Sequence, residues 1–164
     1  MRALAVALAL LSEAALAEGG LEGRTVVFRV ESYDDPAAPY LVSEDYVGAV
    51  GPGPEFSMEE EGGLWVDVVP VRIDLSDGEI ELTWPSVEAG PFATFAFNGY
   101  VMEFAGDCAL IERAKVVDWE TTLPLADDAL EVTPLRLALD VSGLEYGPDQ
   151  RIVIALQVAD CPVS

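Results

Sequence analysis

The chain has 164 residues, 30 acidic and 8 basic, with no histidine, for a formal net charge of −22. A surface this negative repels nucleic acid and anionic lipid. Without histidine there is no Ser-His-Asp or Cys-His triad and no His-ligated zinc.

Met1 and Arg2 make a short basic start, residues 3–11 are an unbroken apolar run, and Ala15, Leu16 and Ala17 form a small-x-small cleavage site. This is the pattern of a secretory signal peptide over residues 1–17, and it predicts export to a periplasmic or extracellular space. The apolar run is too short to span a bilayer and no later stretch is long enough, so no membrane span is expected. Residues 18–164 suit a single domain with one core. Only Arg2 and Glu13 fall in the leader, so the remainder carries 7 basic and 29 acidic residues.

Residues 24–32 read as the first strand, with Val26, Phe28 and Val30 on one face and Thr25, Val27, Arg29 and Glu31 on the other. Asp34, Asp35 and Pro36 end it. Residues 33–63 are the least regular region, with a short strand expected over 45–50 and an exposed acidic run, Glu59, Glu60 and Glu61.

A hairpin follows over residues 65–84, turning at Asp77 and Gly78 in a type I′ loop. That register opposes Leu75 to Ile80, Ile73 to Leu82 and Val71 to Trp84 on an apolar face. On the polar face Asp74 opposes Glu81 and Arg72 opposes Thr83. Like charges directly across a ladder destabilise it, so either Arg72 or a bound cation must offset the Asp74–Glu81 pair. Asp74, Asp77, Glu79 and Glu81 are hard oxygen donors at one hairpin end and are the candidate calcium ligands. No EF-hand pattern accompanies them, and a chain this acidic also produces such clusters as an ordinary solvated face.

Residues 92–104, FATFAFNGYVMEF, are the densest aromatic stretch. Asn98 and Gly99 both tolerate positive φ, so a structural turn is expected there, either a two-residue hairpin loop or a bulge in one long strand. Both geometries place Phe95, Phe97, Tyr100, Met102 and Phe104 on one face, which reads as sandwich core rather than as a ligand platform. A strand over 110–119 and a loop over 120–128 come next. A second hairpin then closes the domain, with Leu135, Leu137, Leu139 and Val141 on its outgoing arm and Ile152, Ile154, Leu156 and Val158 on its return.

Cys108 and Cys161 should pair in an oxidising compartment. In the chain-entropy model a loop of this length contributes roughly 4 kcal/mol. Neither CxxC spacing nor a histidine partner is present for a redox or metal role. Lys115, the one lysine, lies in a strand with no serine close in sequence, so a Ser-Lys dyad is not indicated.

Four segments occur in a familiar order: VGPGPEF at 50–56, IDLSDGEI at 73–80, FNGYV at 97–101 and GLEY at 143–146. In that order they resemble an uncharacterised β-sandwich domain of secreted bacterial proteins. The resemblance covers most of residues 18–164, implies an exported β-sandwich, and brings no activity with it. The cysteine pair lies outside the pattern.

Strand spacing with no helical period predicts an all-β chain, an antiparallel β-sandwich of immunoglobulin-like or jelly-roll-like form, with about seven to nine strands and one disulfide. The function expected is that of a secreted or periplasmic non-catalytic binding, adhesion or surface-associated module, with a protein or glycan partner and no cofactor. One alternative is a calcium-dependent glycan-binding module, combining the four carboxylates with tryptophan. The other is a carboxylate-based hydrolase, which requires two carboxyl groups in one cleft.

Overall fold

The computed structural model describes residues 20–58, 68–106, 108, 110–126 and 128–161. The segment 1–17 expected to be a signal peptide, the acidic run 59–61 and Trp65 lie outside the described residues. Thirteen antiparallel strands and no helix make up what is described. They are β1 (Thr25–Tyr33), β2 (Leu41–Val42), β3 (Tyr46–Ala49), β4 (Phe56–Ser57), β5 (Arg72–Leu75), β6 (Glu79–Thr83), β7 (Gly90–Pro91), β8 (Phe97–Phe104), β9 (Ile111–Val116), β10 (Leu130–Thr133), β11 (Arg136–Asp140), β12 (Glu145–Tyr146) and β13 (Arg151–Val158). Nine of these have four or more residues; β2, β4, β7 and β12 have two each.

One sheet runs β10-β11-β8-β1-β2, with β3 also on β1; the second runs β4-β5-β6-β13-β9; and β7 pairs with β12. The two large sheets pack face to face as a sandwich. Period-two alternation explains the contact, because β1 buries Val26, Phe28 and Val30 while Val27, Arg29 and Glu31 are only half-buried on the other face. From the second sheet Ile73, Leu75, Ile80, Leu82, Ile152 and Ile154 meet them, all fully buried. Aromatic rings bridge the layers, with the centroids of Phe28 and Phe56 5.1 Å apart. Trp84 Nε1 donates to Tyr100 Oη at 3.0 Å, giving each buried polar tip a partner. Burial pushes the Tyr100 hydroxyl well above its ordinary pKa, and the Trp84 hydrogen bond opposes this only in part.

The disulfide Cys108–Cys161 is formed, with Cα atoms 6.3 Å apart. Beside it Arg24, 4% exposed, donates from Nε to Gly20 O at 2.8 Å and from Nη2 to Cys161 O. A buried guanidinium needs such acceptors, and here they tie the first and last described segments together.

The hairpin over residues 72–83 has the expected register, pairing Leu75 with Ile80, Ile73 with Leu82, Asp74 with Glu81 and Arg72 with Thr83. Its turn is not type I′. Gly78 is not at positive φ, which that turn requires, and Ser76 N closes the loop on Glu79 O at 2.9 Å.

Three further expectations are corrected. Asn98 and Gly99 form neither a turn nor a bulge: β8 is continuous through them, and its register with β1 is unbroken from Phe97 opposite Tyr33 to Phe104 opposite Val26. Parity therefore separates the expected aromatic face. Tyr100, Met102 and Phe104 enter the core, whereas Phe97 stacks on Tyr33 on the outer face at 5.1 Å and Phe95, before the strand, stacks on exposed Tyr40 at 5.2 Å. The last two long strands are not a hairpin either. β11 lies in the first sheet beside β8 and β10, and β13 lies in the second between β6 and β9, so residues 141–150 cross between layers. The hairpin partner of β11 is β10, with Thr133 opposite Arg136.

Candidate binding surfaces

The acidic hairpin keeps its residues near one end of the second sheet but does not converge them. Asp77 Oδ1 accepts from Glu22 N at 3.0 Å. Glu81 Oε2 lies 3.1 Å from Arg151 Nη2, so an arginine of β13 bears on the Asp74–Glu81 opposition. Asp74 and Glu79 sit half-buried on the same polar face. Among the described residues no three Asp, Glu, Cys or His groups come close enough to hold a metal ion.

Asn98 is a hydrogen-bond bracket. Its Oδ1 accepts from Ser32 Oγ at 2.7 Å, its Nδ2 donates to Ala93 O at 2.7 Å, and its N–H donates to Asp140 Oδ1 at 3.0 Å. Ser142 adds a reciprocal pair with Phe95, accepting from its N at 2.9 Å and donating to its O at 2.7 Å. Gly99 is required by a close approach, since a Cβ there would lie 1.9 Å from Leu139 O. Between the sheets at this end is a cavity of about 220 Å³ lined by Tyr40, Phe92, Phe95, Tyr100, Ser32 and Asn98. It falls below the usual size of ligand pockets, and Ser32 and the Asn98 carbonyl already hold each other.

On the outer face of the first sheet the Tyr33–Phe97 stack lines a cleft of about 380 Å³ that also holds Asp128, Glu131 and Asp140. Two of these carboxylates are engaged. Asp140 Oδ1 accepts from the N–H groups of Asn98 and Ser142, and Glu131 lies 3.7 Å from Arg136.

Another ion network surrounds Arg29, which bonds Glu31 and Glu103 at 2.6 Å each. The Arg29 hydrogen bond is the main cause holding the Glu103 carboxyl below its usual range; burial opposes it. Reciprocally, the bond to Glu103 raises the guanidinium above its ordinary value.

The remaining surface centres on Trp119, which is 84% exposed, while Trp84 is fully buried. Val117 N still pairs with Val153 O at 2.8 Å and Thr122 N with Arg151 O at 2.9 Å, so residues 118–121 are an excursion from the line of β9. Glu120 N and Thr121 N both bond back to Val117 O, closing the turn. The indole is held: Trp119 Nε1 donates to Glu120 Oε1 at 3.1 Å, and Glu120 Oε2 lies 3.5 Å from Arg151 Nη2. The arginine that offsets Glu81 therefore also orients the tryptophan turn. Asp118 and Thr121, on either side, line a cleft of about 550 Å³ with Lys115, Val116, Leu123 and Leu130. The strand expected over 110–119 hid this turn. The signal available in sequence was a tryptophan between two acids, Asp118 and Glu120, where a core strand would end.

No family model, curated protein or solved structure matches this chain.

Proposed function

We propose that the chain is an exported, non-catalytic β-sandwich that works as a binding, adhesion or surface-associated module. The observation that carries this reading is Trp119, a large ring left in water whose Nε1 donates to Glu120, a residue that in turn pairs with Arg151. An exposed tryptophan is the kind of anchor that dominates recognition surfaces. The signal-like leader and the cysteine pair support export. The absence of histidine and the engagement of Asp140, Glu131 and Glu81 by backbone N–H groups or arginines support binding over catalysis.

The test is a binding screen of the purified chain on a glycan array and on intact cells of the producing organism, with wild type and Trp119→Ala in parallel. Binding that drops at least tenfold in the variant supports the reading. A specific turnover reaction abolished by one carboxylate substitution would sink it.

A further inference from the structure

Resting on the binding-module reading, we propose that the cleft beside β9 receives an extended polypeptide segment of another protein, added as a strand between the two sheets and reaching the Trp119 turn at the cleft's rim, where Asp118 and Thr121 line it. β9 ends the second sheet and β10 ends the first, and both line this cleft, β9 through Ala114, Lys115 and Val116 and β10 through Leu130. The two edges are joined at one end, where Ile111 N bonds Pro134 O at 2.8 Å. Beyond Ile111, the outer edge of β9 receives no backbone hydrogen bond among the described residues. A strand edge in that state is a template for an added strand, whose backbone supplies affinity while alternate side chains supply specificity.

The lining sets the chemistry of the segment. Val116, Leu123, Leu125 and Leu130 form an apolar wall for every second side chain. Asp118 lines the cleft and makes no ion pair among the described residues, so a basic side chain of the segment meets a carboxylate there, at the foot of the Trp119 turn. Lys115 lines the same cleft and can donate to a carbonyl of the segment. A net charge of −22 favours a basic partner and opposes a second copy of this chain. A sugar would use the ring of Trp119 but would leave the open β9 edge unused.

The probe is a phage-displayed library of random dodecapeptides selected on the disulfide-bonded chain, followed by synthesis of the consensus peptide. Expected are sequences alternating apolar residues with at least one Arg or Lys, slowed amide exchange at residues 112–116 on binding, and affinity at least tenfold lower in Trp119→Ala. Asp118→Asn should reduce affinity and flatten its salt dependence. Both substitutions are at exposed positions, and a circular dichroism melt confirms folding. Enriched peptides indifferent to both variants, or binding without protection of 112–116, overturn the proposal. A neutral saccharide that binds through Trp119 while no peptide is enriched also overturns it and leaves the binding-module reading standing. A concentration-dependent dimer dissolved by Trp119→Ala reassigns the cleft to a second copy and likewise overturns it.

Discussion

Replacing Gly99 by alanine tests the close approach of β11 to β8. The new Cβ would lie 1.9 Å from Leu139 O, 2.9 Å from Leu139 C and 3.1 Å from Asp140 Cα, all backbone atoms of β11. No rotamer change relieves such a clash, so β8 and β11 must separate where Gly99 opposes Asp140. Overpacking of this kind costs about 3 kcal/mol. For a domain of this size that is a fall in Tm of roughly 6–12 °C. Gly78→Ala is the control, because its Cβ would meet only Leu156 O at 3.6 Å, an ordinary contact, and Gly78 is not at positive φ. It should stay within about 0.5 kcal/mol of wild type. Urea denaturation of both variants with the disulfide intact gives the comparison. If Gly99→Ala is as stable as wild type, or if Gly78→Ala is the more damaging, the close approach of β11 to β8 is wrong.

Tyr100→Phe leaves the buried Trp84 N–H without its acceptor and should cost about 1–3 kcal/mol, read by the same titration. Glu103 has a depressed carboxyl pKa in the folded state, so its contribution is present above the unfolded value of about 4.3 and is lost as pH falls through the folded value. Its side chain is 43% exposed, so the contribution is under about 1 kcal/mol. Glu103→Gln should therefore flatten the acid limb of a stability–pH curve slightly, and less so in 1 M salt. Replacing Cys108 and Cys161 together by serine should cost about 4 kcal/mol, and mass spectrometry of the protein kept under non-reducing conditions should find no free thiol. Millimolar Ca²⁺ should give no heat in calorimetry, and EDTA should leave Tm unmoved, because Asp77 and Glu81 are already engaged.

The parts of the fold legible in sequence were those fixed by local chemistry. Alternation alone gave the buried face of β1, and the short Ser76–Glu79 connection fixed the register of β5 on β6, since a slip of one residue would expose Ile73 and Leu75. Asn98-Gly99 misled because local propensity and tertiary contact explain the same glycine equally well. Positive φ and the close approach of a neighbouring strand's backbone both call for Gly, and only the position of β11 decides between them. The crossing of residues 141–150 between layers was hidden for a similar reason, since two apolar alternating strands look alike whether they pair with each other or with different sheets. Trp119 falls inside the strand expected over 110–119 because a turn of four residues leaves periodicity too short to read.

The arginines show how a chain with so few cations stays folded. Each of Arg29, Arg136 and Arg151 serves more than one carboxylate: Arg29 reaches Glu31, Asp45 and Glu103; Arg136 reaches Glu103 and Glu131; Arg151 reaches Glu81 and Glu120. All three lie on strands: Arg151 pairs with Glu81, which the ladder sets across from Asp74, and Arg29 reaches Glu31 two residues along β1 and Glu103 diagonally across on β8. A planar fork with several donors can do this where a lysine ammonium, a point charge, holds one partner well. The economy has a consequence at the surface. With these arginines committed to neighbours, most carboxylates face solvent, and the field over the molecule is negative enough to speed the approach of a basic partner and to make that approach weaken steeply with salt. Arg151 joins the two roles, because the guanidinium that offsets Glu81 inside the sheet also holds Glu120, and through it the Trp119 ring. Arg151→Gln should therefore weaken the sheet and loosen the ring together, whereas Glu120→Gln, which keeps a hydrogen-bond acceptor for the indole, should leave the sheet intact and change only how firmly the ring is held.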